Sequence, residues 1–170
     1  MASVPGDSPM TTASTSRTRS VRAATTDDSE ALLSIRRRAI LELAPPALTL
    51  AQARTWASPR DVVWMRQVIE TQDVWVAHDD GEPLGWAVAE SNTLIGLYTD
   101  PRVARRGVGS RLLAFVEERV VSHDAEALDL EASVNAEAFY IARGYHAYTE
   151  RSEDGTVRMR KPLRRQPVNE

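Results

Sequence analysis

The sequence predicts one mixed α/β domain, a single sheet with helices packed against it. Three observations carry that reading. A helical stretch with 3- and 4-residue apolar spacing comes first. Three consecutive strand-like segments follow, separated by tight-turn signals, and the third runs through a glycine-containing junction into a long amphipathic helix. The element order, β, two or three α, βββ, α, β, α, ββ, is not a regular βαβ alternation, so a mixed sheet is expected. A chain of 170 residues suits one such domain.

Taken in order, residues 1–20 hold five Ser, four Thr, two Pro and one Gly and almost no large apolar side chain. Such a segment cannot bury enough surface to offset its ordering entropy, so a disordered tail is expected there. It has no apolar run of the kind a secretory signal needs. The folded domain is expected over 21–163, with a second short tail over 164–170. A first strand reads over 20–24. Asp27 then stands as a helix N-cap with Glu30 three residues on, and Leu32, Ile35, Ala39 and Leu43 mark one face of the helix that follows. Pro45 and Pro46 end it. A second helix is expected over 49–57. A third should begin with Pro59 at its first position and carry Val62, Met65 and Ile69.

Strands are expected over 74–77, 84–90 and 93–99, with Asp79-Asp80-Gly81 and Ser91-Asn92 as the turns. Gly96 inside the third strand predicts a bulge or a close backbone approach. Residues 100–106 form a basic loop. The helix over 107–122 buries Val108, Leu112, Phe115, Val116 and Val120. A strand over 128–133, a helix over 135–143 stopped by Gly144, and strands over 145–151 and 157–163 complete the order.

Composition excludes several chemistries. There is no cysteine, hence no disulfide, thiolate metal site or Cys nucleophile. His78, His123 and His146 are far apart in sequence, so no metal is expected. With 24 acidic against 21 basic residues the net charge is −3, which gives no general pull toward nucleic acid. No apolar run approaches the ~18–20 residues of a membrane span. The expectation is a cytoplasmic protein with no membrane or nucleic-acid partner.

The chemical centre is the junction between strand 93–99 and helix 107–122. Helix N-termini carry unpaired N–H groups and a partial positive charge, and so bind phosphate. Gly107 and Gly109 let backbone approach an anion, and Arg102, Arg105 and Arg106 add positive charge. A plain glycine-rich turn is the competing reading. A dinucleotide fingerprint would need a small residue where Leu112 stands, and no Walker Gly-Lys-Ser/Thr occurs.

Leu97-Tyr98-Thr99-Asp100-Pro101 followed by Arg105-Arg106-Gly107-Val108-Gly109-Ser110-Arg111 resembles the acetyl-CoA-binding motif of GNAT N-acetyltransferases, Q/R-x-x-G-x-G/A. Its leading Gln or Arg falls on Ala104 here. Glu131 to Tyr140 with Asn135, Phe139 and Tyr140, then Gly144-Tyr145, resembles that family's second motif. The resemblance covers about 21–163 and implies the GNAT fold, with strands splayed around acetyl-CoA as cosubstrate. It also implies transfer of an acetyl group to a primary amine by direct attack.

In the roles the resemblance implies, main chain near Leu97 and Thr99 pairs with pantetheine. Main-chain N–H near Tyr98 holds the developing oxyanion. The amides of Arg105, Arg106, Gly107, Val108, Gly109, Ser110 and Arg111 hold the pyrophosphate. Tyr140 is the general acid, and Asn135 bonds the cosubstrate or fixes its helix. Relatives often carry a carboxylate base on the strand matching 93–99. None stands there, so Glu90 and Glu131 are the candidates, with His146 third. A non-catalytic acyl-CoA-binding module on the same fold is the alternative function, and a phosphate binder outside this family is another.

Arg36-Arg37-Arg38 is expected as the solvated side of the first helix, and Arg158, Arg160, Lys161, Arg164 and Arg165 as a basic C-terminal stretch. The tryptophans are expected in the core, apart from one of Trp56 and Trp64, which the resemblance sets at the acceptor pocket. The acceptor, a small-molecule or peptide amine, is not legible, and a homodimer is common in the family.

Overall fold

The computed structural model describes residues 20–163. The two tails expected over 1–20 and 164–170 lie, except for Ser20, outside the described residues, as do Arg164 and Arg165. The elements are β1 (Ser20–Ala23), α1 (Ser29–Leu43), α2 (Leu50–Trp56), α3 (Val62–Thr71), β2 (Asp73–Asp79), β3 (Glu82–Glu90), β4 (Thr93–Thr99), α4 (Val108–Ser122), β5 (Ala127–Ala132), α5 (Glu137–Ile141), β6 (His146–Ala147) and β7 (Val157–Pro162). One seven-stranded sheet runs β1-β2-β3-β4-β5-β7-β6, antiparallel throughout except for the parallel β4–β5 pair.

Strand alternation divides the core between the two faces of this sheet. Val74, Val76, Trp86 and Val88 pack with Leu32, Ile35 and Met65 of α1 and α3. Trp75, Ala87, Leu128, Leu130 and Met159 face the other way, onto Leu112, Leu113, Val116 and Val120 of α4. With helices on both faces, β2 and β3 are buried almost without interruption. The Trp86 indole N–H donates to Leu32 C=O at 3.0 Å, which satisfies its one polar atom in the core. The β2–β3 turn has Asp80 at φ 47° and Gly81 at φ 85°, the two positive values a type I′ hairpin requires.

Several boundaries differ from expectation, each for a local reason. The cap before α1 uses Thr25 and Asp28, not Asp27 and Glu30. The Asp28 carboxylate accepts from Thr25 N–H at 2.8 Å and from both terminal nitrogens of Arg22. Leu43, in the last turn of α1, is exposed. α3 starts at Val62 behind Asp61, whose carboxylate accepts from Trp64 N–H, so Pro59 precedes the helix. α5 is only Glu137–Ile141, because 134–136 form a turn closed by Ala136 N–H to Ser133 C=O. The strand expected over 145–151 shrinks to His146–Ala147.

Asp100, the residue after β4, is fully buried and binds two arginines. Its carboxylate accepts from Arg38 on α1 at 2.7 Å and from the side chain and N–H of Arg102. Burial opposes its ionisation. The hydrogen bonds from Arg102, with the charges of Arg38 and Arg102, outweigh that and hold the carboxyl below the usual carboxylate range. Asp100 thereby fastens α1 to the loop between β4 and α4. A folded pKa below the unfolded value of about 3.9 means this stabilisation is complete above about pH 4 and is lost as pH falls through the folded pKa. Asp100→Asn should therefore cost about 2 kcal/mol at pH 7. That corresponds to about 4–8 °C in Tm, and the gap to wild type should narrow in melts below about pH 4. Equal melting temperatures at pH 7 would show that the clamp carries no stability.

Candidate active site

β4 and β5 lie side by side, yet they pair only at Thr93 with Asp129 and at Leu94 with Leu130. Beyond those two pairs the parallel strands separate. Residues 95–99 of β4 and Glu131 and Ala132 of β5 thus border a gap in the middle of the sheet. The separation starts at a bulge. Val88 pairs with Gly96 and Ala89 with Leu94, so Ile95 is the extra residue on β4. Gly96 is needed beside it, because a Cβ there would lie 2.8 Å from the Tyr98 ring. Of the two features expected of Gly96, the bulge is present one residue before it, and the close neighbour is the Tyr98 side chain rather than another backbone.

Strand alternation assigns the backbone groups of β4 to its two sides. Asp100 N–H donates to Leu84 C=O on the β3 side at 2.9 Å. Counting back by twos, Tyr98 N–H also points to β3, whereas Leu97 and Thr99 present theirs to the gap. Of the amides near Tyr98, those of Leu97 and Thr99 therefore face the gap.

α4 begins at the mouth of this gap. Gly107 is its N-cap at φ 82°, and no side chain caps the helix. The first helical bond runs from Arg111 N–H to Gly107 C=O, so the N–H groups of Gly107, Val108, Gly109 and Ser110 precede the ladder. A Cβ on Gly107 would meet nothing within 4 Å, so the space beside that residue is open. Of the amides expected in the cradle, those of Arg106 and Arg111 are engaged internally, the former with Val103 C=O. Arg105, at φ 61°, holds the left-handed conformation that turns the chain into the helix. Arg102 adds no free charge to the cradle, since Asp100 and Glu82 take its guanidinium.

Arg143, read from sequence only as the end of a helix, supplies charge instead. Its guanidinium donates to Ser110 Oγ and to Phe139 C=O and lies 3.6 Å from the Phe139 ring centroid. The signal was its place just before Gly144 in the second motif.

Tyr140 is buried, with edge contacts to Phe139 and Tyr145. No hydrogen bond to its hydroxyl occurs among the described residues. Burial raises its pKa, Tyr98 raises it further, and Arg143 works the other way. The phenol therefore stays protonated at physiological pH. Asn135 is exposed, accepts from Ser133 Oγ at 2.8 Å, and does not cap α5, whose N-cap is Ala136. Glu90 is exposed at the end of β3. Glu131 is exposed on β5, 3.9 Å from Arg158. His146 is exposed on β6.

The first-helix arginines are not simply solvated. Arg38 holds Asp100, and Arg36 donates to Trp56 C=O at 2.9 Å; of the three, only Arg37 is exposed. Trp75 and Trp86 are core residues, whereas Trp56 lines a cavity of about 270 Å³ with Leu48, Ala51, Gln52, Thr55 and Asp154. Within the basic C-terminal stretch, Arg158, Arg160 and Lys161 pair with Glu131, Asp129 and Glu117. Among the described residues no cluster of three or more His, Asp or Glu could hold a metal ion, and no helix is long and apolar enough to cross a membrane.

The chain is similar to several known proteins. A family profile described as acetyltransferase (GNAT) domain matches residues 45–161. The uncharacterized N-acetyltransferase YafP of Escherichia coli (strain K12) is 29% identical over 118 residues, 69% of this chain and 75% of that protein. The crystal structure of a GCN5-related N-acetyltransferase from Rhodopseudomonas palustris is 25% identical, with a TM-score of 0.79 over 86% of this chain and 96% of that one. PaiA N-acetyltransferase from Thermoplasma acidophilum, solved in complex with coenzyme A, shares the fold at 16% identity, with a TM-score of 0.73 over 85% of this chain and 99% of that one.

Proposed function

The chain belongs to the GNAT acetyltransferase family and is an acyltransferase; on that premise we propose that it transfers the acetyl group of acetyl-CoA to a primary amine by direct attack. The observation that carries this reading is the pairing of β4 and β5 at only two positions, with the uncapped, glycine-started N-terminus of α4 at the mouth of the gap. The catalytic domain in this reading spans 21–163.

The residues fit such a cosubstrate. The N–H groups of Gly107, Val108, Gly109 and Ser110 bind the pyrophosphate, assisted by the helix dipole and by the charge of Arg105, Arg106 and Arg143. The main chain of Leu97 and Thr99 offers the pantetheine amides the partners that β5 does not supply. When bound, acetyl-CoA supplies the activated acyl carbon. Leu97 N–H, aimed into the gap, stabilises negative charge building on the carbonyl oxygen, a donor typically worth ~3 kcal/mol. The Tyr140 hydroxyl, kept protonated by burial, donates to the departing sulfur. Asn135 orients the turn ahead of α5 through Ser133. Glu90 and Glu131 are the candidate bases for the amine proton. Arg158 engages Glu131, which makes Glu90 the less encumbered of the two.

Coenzyme A, unlike ATP or NAD, should raise the melting temperature, with about 2.7 kcal/mol gained at 100 times its Kd. Free thiol should appear only when acetyl-CoA and an amine are both present. Thermal stabilisation by ATP or NAD equal to that by coenzyme A would overturn the assignment. Gly107→Glu fills the open space with bulk and negative charge, and should weaken coenzyme A binding more than about 100-fold by calorimetry. Unchanged affinity would remove the cradle. Tyr140→Phe should lower kcat about 100-fold with coenzyme A affinity intact; a wild-type kcat would take Tyr140 out of the chemistry.

A further inference from the structure

Arg36 is half-buried on α1, and its guanidinium lies 5.9 Å from the ring centroids of both Trp64 and Tyr98. Arg60 approaches the same Trp64 ring at 5.1 Å. Two cations thus converge on one indole, and among the described residues neither has a carboxylate partner. Capping the end of α2 through Trp56 C=O uses one of the five N–H donors of Arg36, which leaves a fork suited to a planar carboxylate. Aromatic walls strengthen such a pair by excluding water.

Position connects this corner to the gap. Tyr98 is the β4 residue between Leu97 and Thr99, and its ring covers Gly96 at the bulge. On the other side, Trp56 lines the cavity of about 270 Å³ beside α2. The one acid in that lining, Asp154, is held ionised by hydrogen bonds from Ser152 and from the N–H and hydroxyl of Thr156. The cavity itself therefore does not attract an anion, whereas the guanidinium bonded to Trp56 does.

We propose that Arg36, assisted by Arg60, binds a carboxylate of the acceptor, so that the preferred acceptors are amino acids or other primary amines bearing a nearby carboxylate. This specificity role rests on the acetyl-transfer reading above. The site touches the acceptor and leaves the cosubstrate cradle alone.

The test compares L-amino acids with their carboxamides as acceptors, reading thiol release from acetyl-CoA. The acids should exceed their amides at least tenfold in kcat/KM, with the difference carried by KM. Arg36→Met keeps the apolar stem and should bring the acids down to the amide rate, leaving coenzyme A affinity and amide turnover unchanged. Arg36→Lys should restore part of the preference. Equal rates for acids and amides, or an Arg36→Met variant that slows both alike, would overturn the assignment. Titration of the same acids and amides into the coenzyme A complex gives a readout independent of turnover. Arg36-dependent binding of acids with no acetyl transfer to any amine would sink the transferase reading and keep the carboxylate site. Turnover without preference does the reverse, and binding of neither acid nor amide in the absence of turnover removes both.

Discussion

Two residue pairs hold β4 to β5, and the rest of the site depends on how few they are. A parallel pair zipped along its whole length would satisfy its own backbone and leave nothing for a ligand. Here the register of β4 against β3 is interrupted by a bulge, and among the described residues the strand makes no further pair with β5 beyond Leu94. Helices pack on both faces of this sheet. Gly85 admits α4 against β3, since a Cβ there would lie 2.8 Å from Tyr98 C=O and 3.0 Å from the Val108 side chain. Across the gap, Glu117 of α4 binds Lys161 of β7 and the Tyr145 hydroxyl. One helix therefore braces both halves of a divided sheet.

The divided sheet also explains why the proposed chemistry would draw on three short stretches of chain. β4 brings backbone donors, the start of α4 brings an unfilled row of N–H groups, and α5 brings Tyr140 and, two residues past its end, Arg143. None of these groups is unusual alone. They meet because the two β-strands part where the helix begins.

Much of this was legible in the residues. Apolar spacing and turn residues anticipate each α-helix and β-strand, though not the bounds of α3, α5 and β6, and Gly96 announced its bulge. What sequence could not locate were positions decided by partners far along the chain. Asp28 is drawn into its cap by Arg22, so the start of α1 differs from the Asp27 reading. Asp100 read as part of a basic loop, but its partner Arg38 lies 62 residues away. Arg36 read as solvated because periodicity alone does not reveal that Trp56, Trp64 and Tyr98 gather around that turn of α1. Which β4 amides face the gap was not legible, because strand polarity is fixed only once a single hydrogen bond, Asp100 to Leu84, is known.

Arg36 and Arg38 leave the same helix two positions apart, about 3 Å along its axis. One reaches the aromatic corner and the other is locked to the loop that launches α4. α1 thus acts as a ruler, with both graduations engraved on one rigid rod. Sliding the rod to accommodate a longer molecule would tear its anchor out of Asp100. Changes in reach must therefore come from side-chain length at the near mark, or from α2 and α3 beside it.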